Sequence, residues 1–453
     1  MNRASPHHEE EEEEENDAQV FLDESDIIHE VPLDEEDLPD ADDEAASDAE
    51  VFEEPDDDSV HVFTGHTGVM LLRKSMDLCT LTPFICTGEL YTVACSPTDA
   101  TLVATGGGDD KGFLWRIGQG DWAFELQGHR DSVCSLAFST DGQLLASGSL
   151  DGIIQIWDVQ SENLKCSFEG LGGGIEWIKW HPRGHLVLAG SEDCTVWMWN
   201  ADKGACLQTF SGHGGSVTCG DFTPDGKLVC TGSDDATLRI WDPKSGENIH
   251  VVRGHPYHTQ ELTCMAISPD STLALTGSKD GSVHIVNLTT GKVGVLLGVY
   301  RVAFVLKNEF LVKSIWGFGH MQIQVVSSLV SHSDSIECVS FGPSHGPSSF
   351  WAATGGMDQK LIIWDLQHSM PRSTCEHEDG VTCLTWLGAS NYLATGCVDG
   401  KVRLWDGRSG DCIKTFGGHD AAIQSLSVCA NRNFIVSVSI DETARVFEIA
   451  EFL

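Results

Sequence analysis

The sequence predicts an all-β fold in which one unit of short strands is repeated eight times. Two observations carry this. One string recurs as LASGSLDGIIQIWD (145–158), CTGSDDATLRIWD (230–242), ATGGMDQKLIIWD (353–365) and ATGCVDGKVRLWD (394–406). In each, a short apolar strand runs into small residues, an Asp, a turn, and an alternating strand that ends in Trp-Asp. Second, Trp115, Trp157, Trp199 and Trp241 are spaced 42 residues apart. A fixed period of that length marks a repeat architecture rather than a set of independent domains.

Eight units can be read in order. They close at Trp115, Trp157, Trp199, Trp241, Val286, Trp364, Trp405 and Phe447. Six residues before each closing position stands Asp109, Asp151, Asp193, Asp235, Asp280, Asp358, Asp399 or Asp441. Four before that Asp is Thr105, Ser147, Ala189, Thr231, Thr276, Thr354, Thr395 or Ser437. The upstream histidines are read as His66, His129, none in the third unit, His213, His255, His332, His377 and His419.

Gly-His upstream and Trp-Asp at the end, on this period, resemble the WD40 repeat, in which each unit is one four-stranded blade of a β-propeller. The resemblance implies a buried tetrad in which Asp holds His, His meets Ser or Thr, and that hydroxyl meets the Trp indole. Complete sets are His129, Ser147, Asp151 and Trp157; His213, Thr231, Asp235 and Trp241; His332, Thr354, Asp358 and Trp364; and His377, Thr395, Asp399 and Trp405. Unit one has all four members if its insertion leaves His66 in place. Unit three lacks His and Ser/Thr, unit five lacks Trp, and unit eight has Phe447, so these blades are expected to lean on packing. Repetition around a ring marks the His–Asp–Ser/Thr set as structural rather than catalytic, since a nucleophilic site is a single activated constellation.

The strand in SVHVFTGH (59–66) has no unit before it and is expected to pair onto the blade built from 422–449. That would put both chain ends in one blade and remove the free sheet edges. Two stretches break the period, near 69–88 and 294–324. Excising either restores a normal unit. Both read as retained introns, with in-frame GT donors at Val69 and Val295 and a CAG acceptor at Gln324, or as genuine loops. Arg73, Lys74 and Asp77 in the first, and Arg301, Lys307, Glu309 and Lys313 in the second, break any clean apolar span of membrane length.

The chain carries a formal net charge of −42. Residues 1–58 hold 27 Asp and Glu against one basic residue, Arg3. So much like charge with few aromatics reads as a disordered acidic tail, leaving 59–453 as the propeller. Such a surface repels nucleic acid phosphates and anionic lipid and attracts basic proteins. Direct nucleic acid or membrane binding is therefore not expected, and a monomer is. No secretory signal opens the sequence and no C-x-x-C pair occurs among 16 cysteines. Cys219, Cys264, Cys338 and Cys383 recur at one repeat position as small apolar residues, which suits a reducing compartment. GGGDDKG (106–112) and GLGGGI (170–175) miss the spacing of phosphate-binding loops. No enzyme activity, cofactor or metal is expected.

A narrower likeness lies in DIIHEVPLDEEDLPD (26–40), GGGDDKGFLWRI (106–117) and IEWIKWHPRGHLVLAGSEDCTVWMWN (175–200). These segments, with the eight units, resemble the angio-associated migratory cell protein family, in a plant-like version. Fungal relatives of that family are dedicated chaperones of a basic large-subunit ribosomal protein bound for the 60S particle. Animal members are cytosolic factors in cell migration. The resemblance implies a cytoplasmic escort for a basic client, with nuclear access left open. Candidate contacts on the rim are Asp131, Glu192, Asp234, Glu261, Asp334, Glu378, Asp379 and Asp420, with Trp177 as an aromatic anchor. The alternatives are a signalling or adaptor scaffold, in cell migration, ubiquitin-ligase or G-protein pathways, and a histone escort.

Overall fold

Among the described residues, seven four-stranded antiparallel sheets and one of five strands are arranged one after another along the chain, with inner strands beginning at Leu90, Val133, Ile175, Cys219, Leu262, Ile336, Val381 and Ile423. The computed structural model describes residues 57–66, 70–72, 83–85, 88–120, 123–170, 172–255, 257–293, 328–330, 332–343 and 351–452. The chain divides into two units, Met1–Glu54 and Pro55–Leu453, and every described residue belongs to the second. The acidic tail up to residue 56 and most of both insertions lie outside the described residues. Backbone pairing of Met70–Leu72 with Pro83–Ile85 marks a short hairpin within the first insertion.

Blade 2 shows why the repeat folds this way. Its strands Val133–Phe138, Leu144–Ser149, Ile154–Asp158 and Asn163–Phe168 run from the ring's axis outward. The second strand is buried along its whole length, because both faces of a blade are covered by its neighbours. The outer strand is mostly exposed except at Phe168. Between second and third strands the chain reverses through Asp151 and Gly152, the latter at φ 77°. The residue after the repeat Asp is left-handed in all eight blades: Asp110, Gly152, Cys194, Ala236, Gly281, Gln359, Gly400 and Glu442. Five of these are not glycine, and each pays about 1–2 kcal/mol for that conformation.

The apolar core is a ring of eight clusters, each shared by two adjacent blades. Leu102, Leu114 and Leu126 of blade 1 meet Val133, Leu145 and Trp157 of blade 2, and the pattern continues round to blades 7 and 8. The last cluster closes the circle, packing Phe63, Ala444 and Val446 of blade 8 against Leu90, Val103 and Trp115 of blade 1. Hydroxyls add staples around the axis: Thr218 and Thr382 donate to the carbonyls of Leu262 and Ile423 in the next blade at 2.5 and 2.6 Å, and Thr263 donates likewise to Ile336.

Closure follows the sequence expectation. His61–Phe63 forms the outer strand of blade 8, with His61 opposite Val446 and Phe63 opposite Ala444. Upstream of that strand the chain lies against blades 7 and 8. Asp58 pairs with Lys414 at 3.1 Å and accepts from the Gly417 N–H at 2.9 Å, while Asp57 pairs with Arg445. The second insertion interrupts the outer strand of blade 5. Lys292–Val293 pairs with Val286 and Asn287, and Ser328–Val330 resumes on Ser282, Val283 and His284 of the same partner strand. Two pieces thus do the work of one strand.

Phe63 carries the closure because its ring stacks on Trp115 at 4.9 Å and 6° and is 6% exposed. Phe63→Ala should cost about 3–5 kcal/mol, against under ~0.5 kcal/mol for Val62→Ala on the exposed side of the same strand. Urea denaturation of both variants checks this; equal, small losses would mean the strand does not hold the ring.

Candidate functional site

The tetrads account for most of the buried polar groups. In blade 2 His129 lies 2.8 Å from Ser147 and 3.4 Å from Asp151, and Trp157 donates to Ser147 at 3.1 Å. In blade 4 His213 lies 2.7 Å from Thr231 and 3.1 Å from Asp235, and Trp241 donates to Thr231 at 2.9 Å. In blade 6 His332 is 2.8 Å from both Thr354 and Asp358, and Trp364 donates to Thr354 at 2.9 Å. Blade 1 holds the same chain of bonds through His66, Thr105, Asp109 and Trp115 despite its insertion. In blade 8 His419 meets Ser437 and Asp441 at 2.7 Å each, with Phe447 filling the indole's place.

Two blades depart from the expected wiring. In blade 5 the tetrad histidine is His258, not His255: its ring lies 2.8 Å from Thr276 and 3.5 Å from Asp280. The hydroxyl of buried Tyr257 donates to Thr276 at 3.1 Å, taking the role of the absent indole. The signal was present, since His258 precedes Asp280 by the same 22 residues that separate His129 from Asp151. In blade 7 His377 reaches Thr395 at 2.9 Å and Trp405 donates to Thr395 at 3.0 Å, but Asp399 is drawn to Arg403 at 2.6 Å. The His377 Nδ1 has no partner among the described residues.

Blade 3, without His or hydroxyl, is held by other means. Trp180 donates to the Ala137 carbonyl of blade 2 at 2.8 Å, and Trp177 to the Val217 carbonyl before blade 4 at 2.8 Å. His185 bridges Asp141 and Asp202 at 2.9 Å each, tying blades 2 and 3. Trp177 is therefore a correction to the expected aromatic anchor. It is 7% exposed, packed over Gly190 and Gly220, where an added Cβ would fall 2.2–2.3 Å from its ring. Cys219, Cys264, Cys338 and Cys383 seat their sulfurs on Gly232, Gly277, Gly355 and Gly396, and burial pushes the Cys219 and Cys383 thiols up to about 12.

One backbone bond, repeated in every blade, builds the surface at the mouth of the ring. The residue just before the turn Asp donates its N–H to the carbonyl of a residue at the approach to the inner strand, immediately before it in seven blades and three residues before it in blade 4. The pairs are Gly108–Glu89, Leu150–Ser132, Glu192–Gly174, Asp234–Ser216, Lys279–Glu261, Met357–Ser335, Val398–Gly380 and Ile440–Ala422, at 2.8–3.2 Å. These positions are equivalent around the ring, and their side chains decide its chemistry.

Acid gathers at blades 2 to 4. Glu176, on the inner strand, is pushed up by burial and then by the charges of Glu192 and Asp234. Asp234 is also raised, chiefly by burial, with Glu261 and Asp235 adding to it against the opposing charge of Lys279. The Cys134 thiol, pushed up to about 12, owes that to burial and to Glu176, Asp131 and Glu192 around it. Mutual repulsion of this kind is the mark of a concentrated negative field. Among the described residues Glu176, Glu192 and Asp234 form no ion pair, whereas Glu261 pairs with Lys279 at 3.1 Å and Glu378 with Lys401 at 2.8 Å. Asp334 and Asp379 cap the N–H of the following residue at 2.8 and 2.7 Å, and Asp420 is exposed beside Asp441. Glu176 and its equivalent Glu337 were missed by sequence, since both sit at the second position of an inner strand and read as strand interior.

The architecture defines a WD-repeat β-propeller with a charged mouth, a protein-binding platform. The WD domain, G-beta repeat family matches residues 120–158, 163–200, 204–242, 246–287, 323–365, 369–406 and 410–448. The angio-associated migratory cell protein of Homo sapiens is 37% identical over 359 residues, covering 79% of this chain and 77% of that one. The dog protein of that name is 36% identical over the same shares. The chain belongs to the angio-associated migratory cell protein family. Among solved structures, Chaetomium thermophilum Sqt1 bound to the N-terminus of the ribosomal protein L10 shares the fold at a TM-score of 0.69 and 22% identity, over 87% of this chain and 100% of that one. Saccharomyces cerevisiae Sqt1 gives 0.68 and 20%, over 87% and 99%.

The broken link in blade 7 has a pH consequence. Burial and then the Arg403 charge pull His377 down to about 4 from an ordinary value of 6.5. Its folded-state pKa is below the unfolded one, so the unfolded chain binds the proton first. The stability this gives is whole above pH 6.5 and is lost as pH falls toward about 4. His258 and His332 shift in the same direction, chiefly through burial. His377→Asn should therefore lose less stability between pH 7 and pH 4.5 than the parent in urea titrations. Equal losses would mean that His377 does not titrate on unfolding.

Proposed function

We propose that this propeller holds a basic protein client, a large-subunit ribosomal protein not yet assembled into the 60S particle, and does so in the cytoplasm. The observation that carries this reading is the acidic arc of Asp131, Glu176, Glu192 and Asp234 at the mouth, where burial and neighbouring carboxylates raise Glu176 and Asp234 although the Lys279 charge acts on Asp234 in the other direction. Carboxylates that repel one another gain when a cationic segment arrives, both in encounter rate and in relief of their shifted pKa values. A newly made ribosomal protein presents such a segment before RNA covers it. The Chaetomium Sqt1 structure, solved with the N-terminus of ribosomal protein L10, supports the reading by analogy of fold. The acidic segment 1–58 adds attraction of the same sign.

The test is purification of the tagged protein from its own cytosol at low salt, with mass spectrometry of what accompanies it. One stoichiometric basic ribosomal protein is expected, lost as ionic strength rises. Glu192→Gln with Asp234→Asn should weaken it roughly tenfold, about 1.4 kcal/mol. Deleting 1–56 should weaken it further. A broad set of signalling proteins, indifferent to salt and to these changes, would overturn the chaperone reading in favour of an adaptor scaffold.

A further inference from the structure

The mouth is not acidic all the way round. At the position just before the turn Asp, blades 3 and 4 carry Glu192 and Asp234 and blade 5 carries Lys279, but blades 6, 7, 8 and 2 carry Met357, Val398, Ile440 and Leu150. Blade 1 has Gly108 there. The same backbone bond fixes this position in every blade, so the charged side chains of blades 3 to 5 prove that packing does not require an apolar one. Yet Leu150 is 40% exposed and Met357 39%, with Val398 and Ile440 half-buried between them in ring order. Single exposed aliphatic residues need no explanation, but a run of them at one repeated position does.

The two arcs touch. A Cβ built on Gly174 would lie 2.7 Å from Leu150 and 3.1 Å from Glu192, so an apolar and an acidic side chain lean over the same glycine at the blade 2–3 boundary. Met357 likewise leans over Gly380 of blade 7, with its sulfur 2.7 Å from a Cβ built there. At the other end of the apolar run, Met357 is bonded through its backbone to Ser335, whose hydroxyl donates to Glu337 at 2.7 Å.

We propose that the mouth reads an amphipathic cationic segment, with lysine or arginine side chains on the acidic arc and an aliphatic or aromatic side chain of the same segment on Leu150, where the apolar arc meets Glu192 over Gly174. This rests on the basic-client reading above and adds a selectivity that charge alone does not supply. The field of the acidic arc fixes the sign of the occupant, and the adjoining apolar arc then rewards a hydrophobic residue within it. A client with charge only would bind, but weakly and with a steep dependence on salt.

The probes are two fluorescein-labelled nonapeptides, each with four arginines on either side of a central leucine or a central alanine, titrated into the full-length chain. The leucine peptide should bind roughly five- to twentyfold tighter, and the ratio should persist as salt weakens both. In the variant Leu150→Ser the ratio should fall to about one, while the alanine peptide binds as before and Met357→Ser leaves the ratio unchanged; Leu150→Met should restore part of it. Leu150 is 40% exposed, and an unchanged melting temperature verifies the fold. Equal affinity of the two peptides for the parent, with both weakened by Glu192→Gln, would overturn this inference and leave the basic-client reading standing. No salt-sensitive binding of either peptide would overturn both.

Discussion

The carboxylate in the tight turn between second and third strands is the group on which the rest of this structure depends. It accepts from the N–H two residues on, as Asp151 does from Ile153 and Asp441 from Thr443 at 2.9 Å each. It also accepts from the backbone after the tetrad histidine, as in Arg130 to Asp151 and Gly214 to Asp235. An ionised acceptor makes these bonds stronger than neutral ones, which offsets the left-handed residue that follows it. Through the histidine the same Asp reaches a buried hydroxyl and the indole of the third strand. Through the residue before it, the same turn sets what the mouth presents. The same four-residue reversal thus sets what the mouth presents in all eight blades and orders the core through a histidine in six of them.

The ring imposes a second condition. No blade owns a core; each apolar cluster belongs to two blades, so a blade removed from the circle would expose both of its faces. An open solenoid would need capping repeats for its ends. Here the outer strand at His61–Phe63 makes the first and last blades neighbours, and Asp57 and Asp58 extend the fastening to Arg445 and Lys414. Shared interfaces also explain how defective repeats survive. Blade 3 has Ala189 where a hydroxyl belongs, yet Trp180 and Trp177 donate across both of its boundaries. Blade 5 lacks its tryptophan, and Tyr257 supplies the hydroxyl donor from the preceding loop.

Sequence made the ring, the blade count, the closure and most tetrad members legible, because these depend on letters at fixed spacing. What it hid depended on reach. Arg403 sits four residues past Asp399, and only its extended side chain shows that it takes the carboxylate from His377. In HPYHTQEL two histidines compete, and choosing His255 by its Gly-His context ignored the spacing to Asp280 that favours His258. Trp177 misled because it stands near the rim acids in sequence, whereas both faces of a propeller blade are covered and its ring is buried over Gly190 and Gly220. Glu176 and Glu337 were hidden for the complementary reason: at the axis the inner strand leaves some of its positions open to the channel. Rim acids were legible as acids, but their ion pairs were not, so Glu378 and Glu261 read as equal to Glu192 although Lys401 and Lys279 neutralise them.

The division of labour within each repeat bears on how such a fold acquires a partner. Tetrad residues are buried and bonded to one another, so changing one leaves an unsatisfied group and costs stability. The residue immediately before the Asp enters the turn through its backbone, and the shared turn does not fix its side chain, which in Glu192 accepts from the Gly174 N–H and in Lys279 pairs with Glu261. Glycine, leucine, methionine, valine, isoleucine, glutamate, aspartate and lysine all occupy that position in this one chain. A binding surface can therefore be rewritten one blade at a time without disturbing the scaffold, which is why a fold alone does not specify a client. In this molecule the eight free positions are sorted by chemistry rather than scattered. Charge occupies one arc and apolar side chains another, and the shared turn accepts both, so the sorting is what the proposed amphipathic client would select.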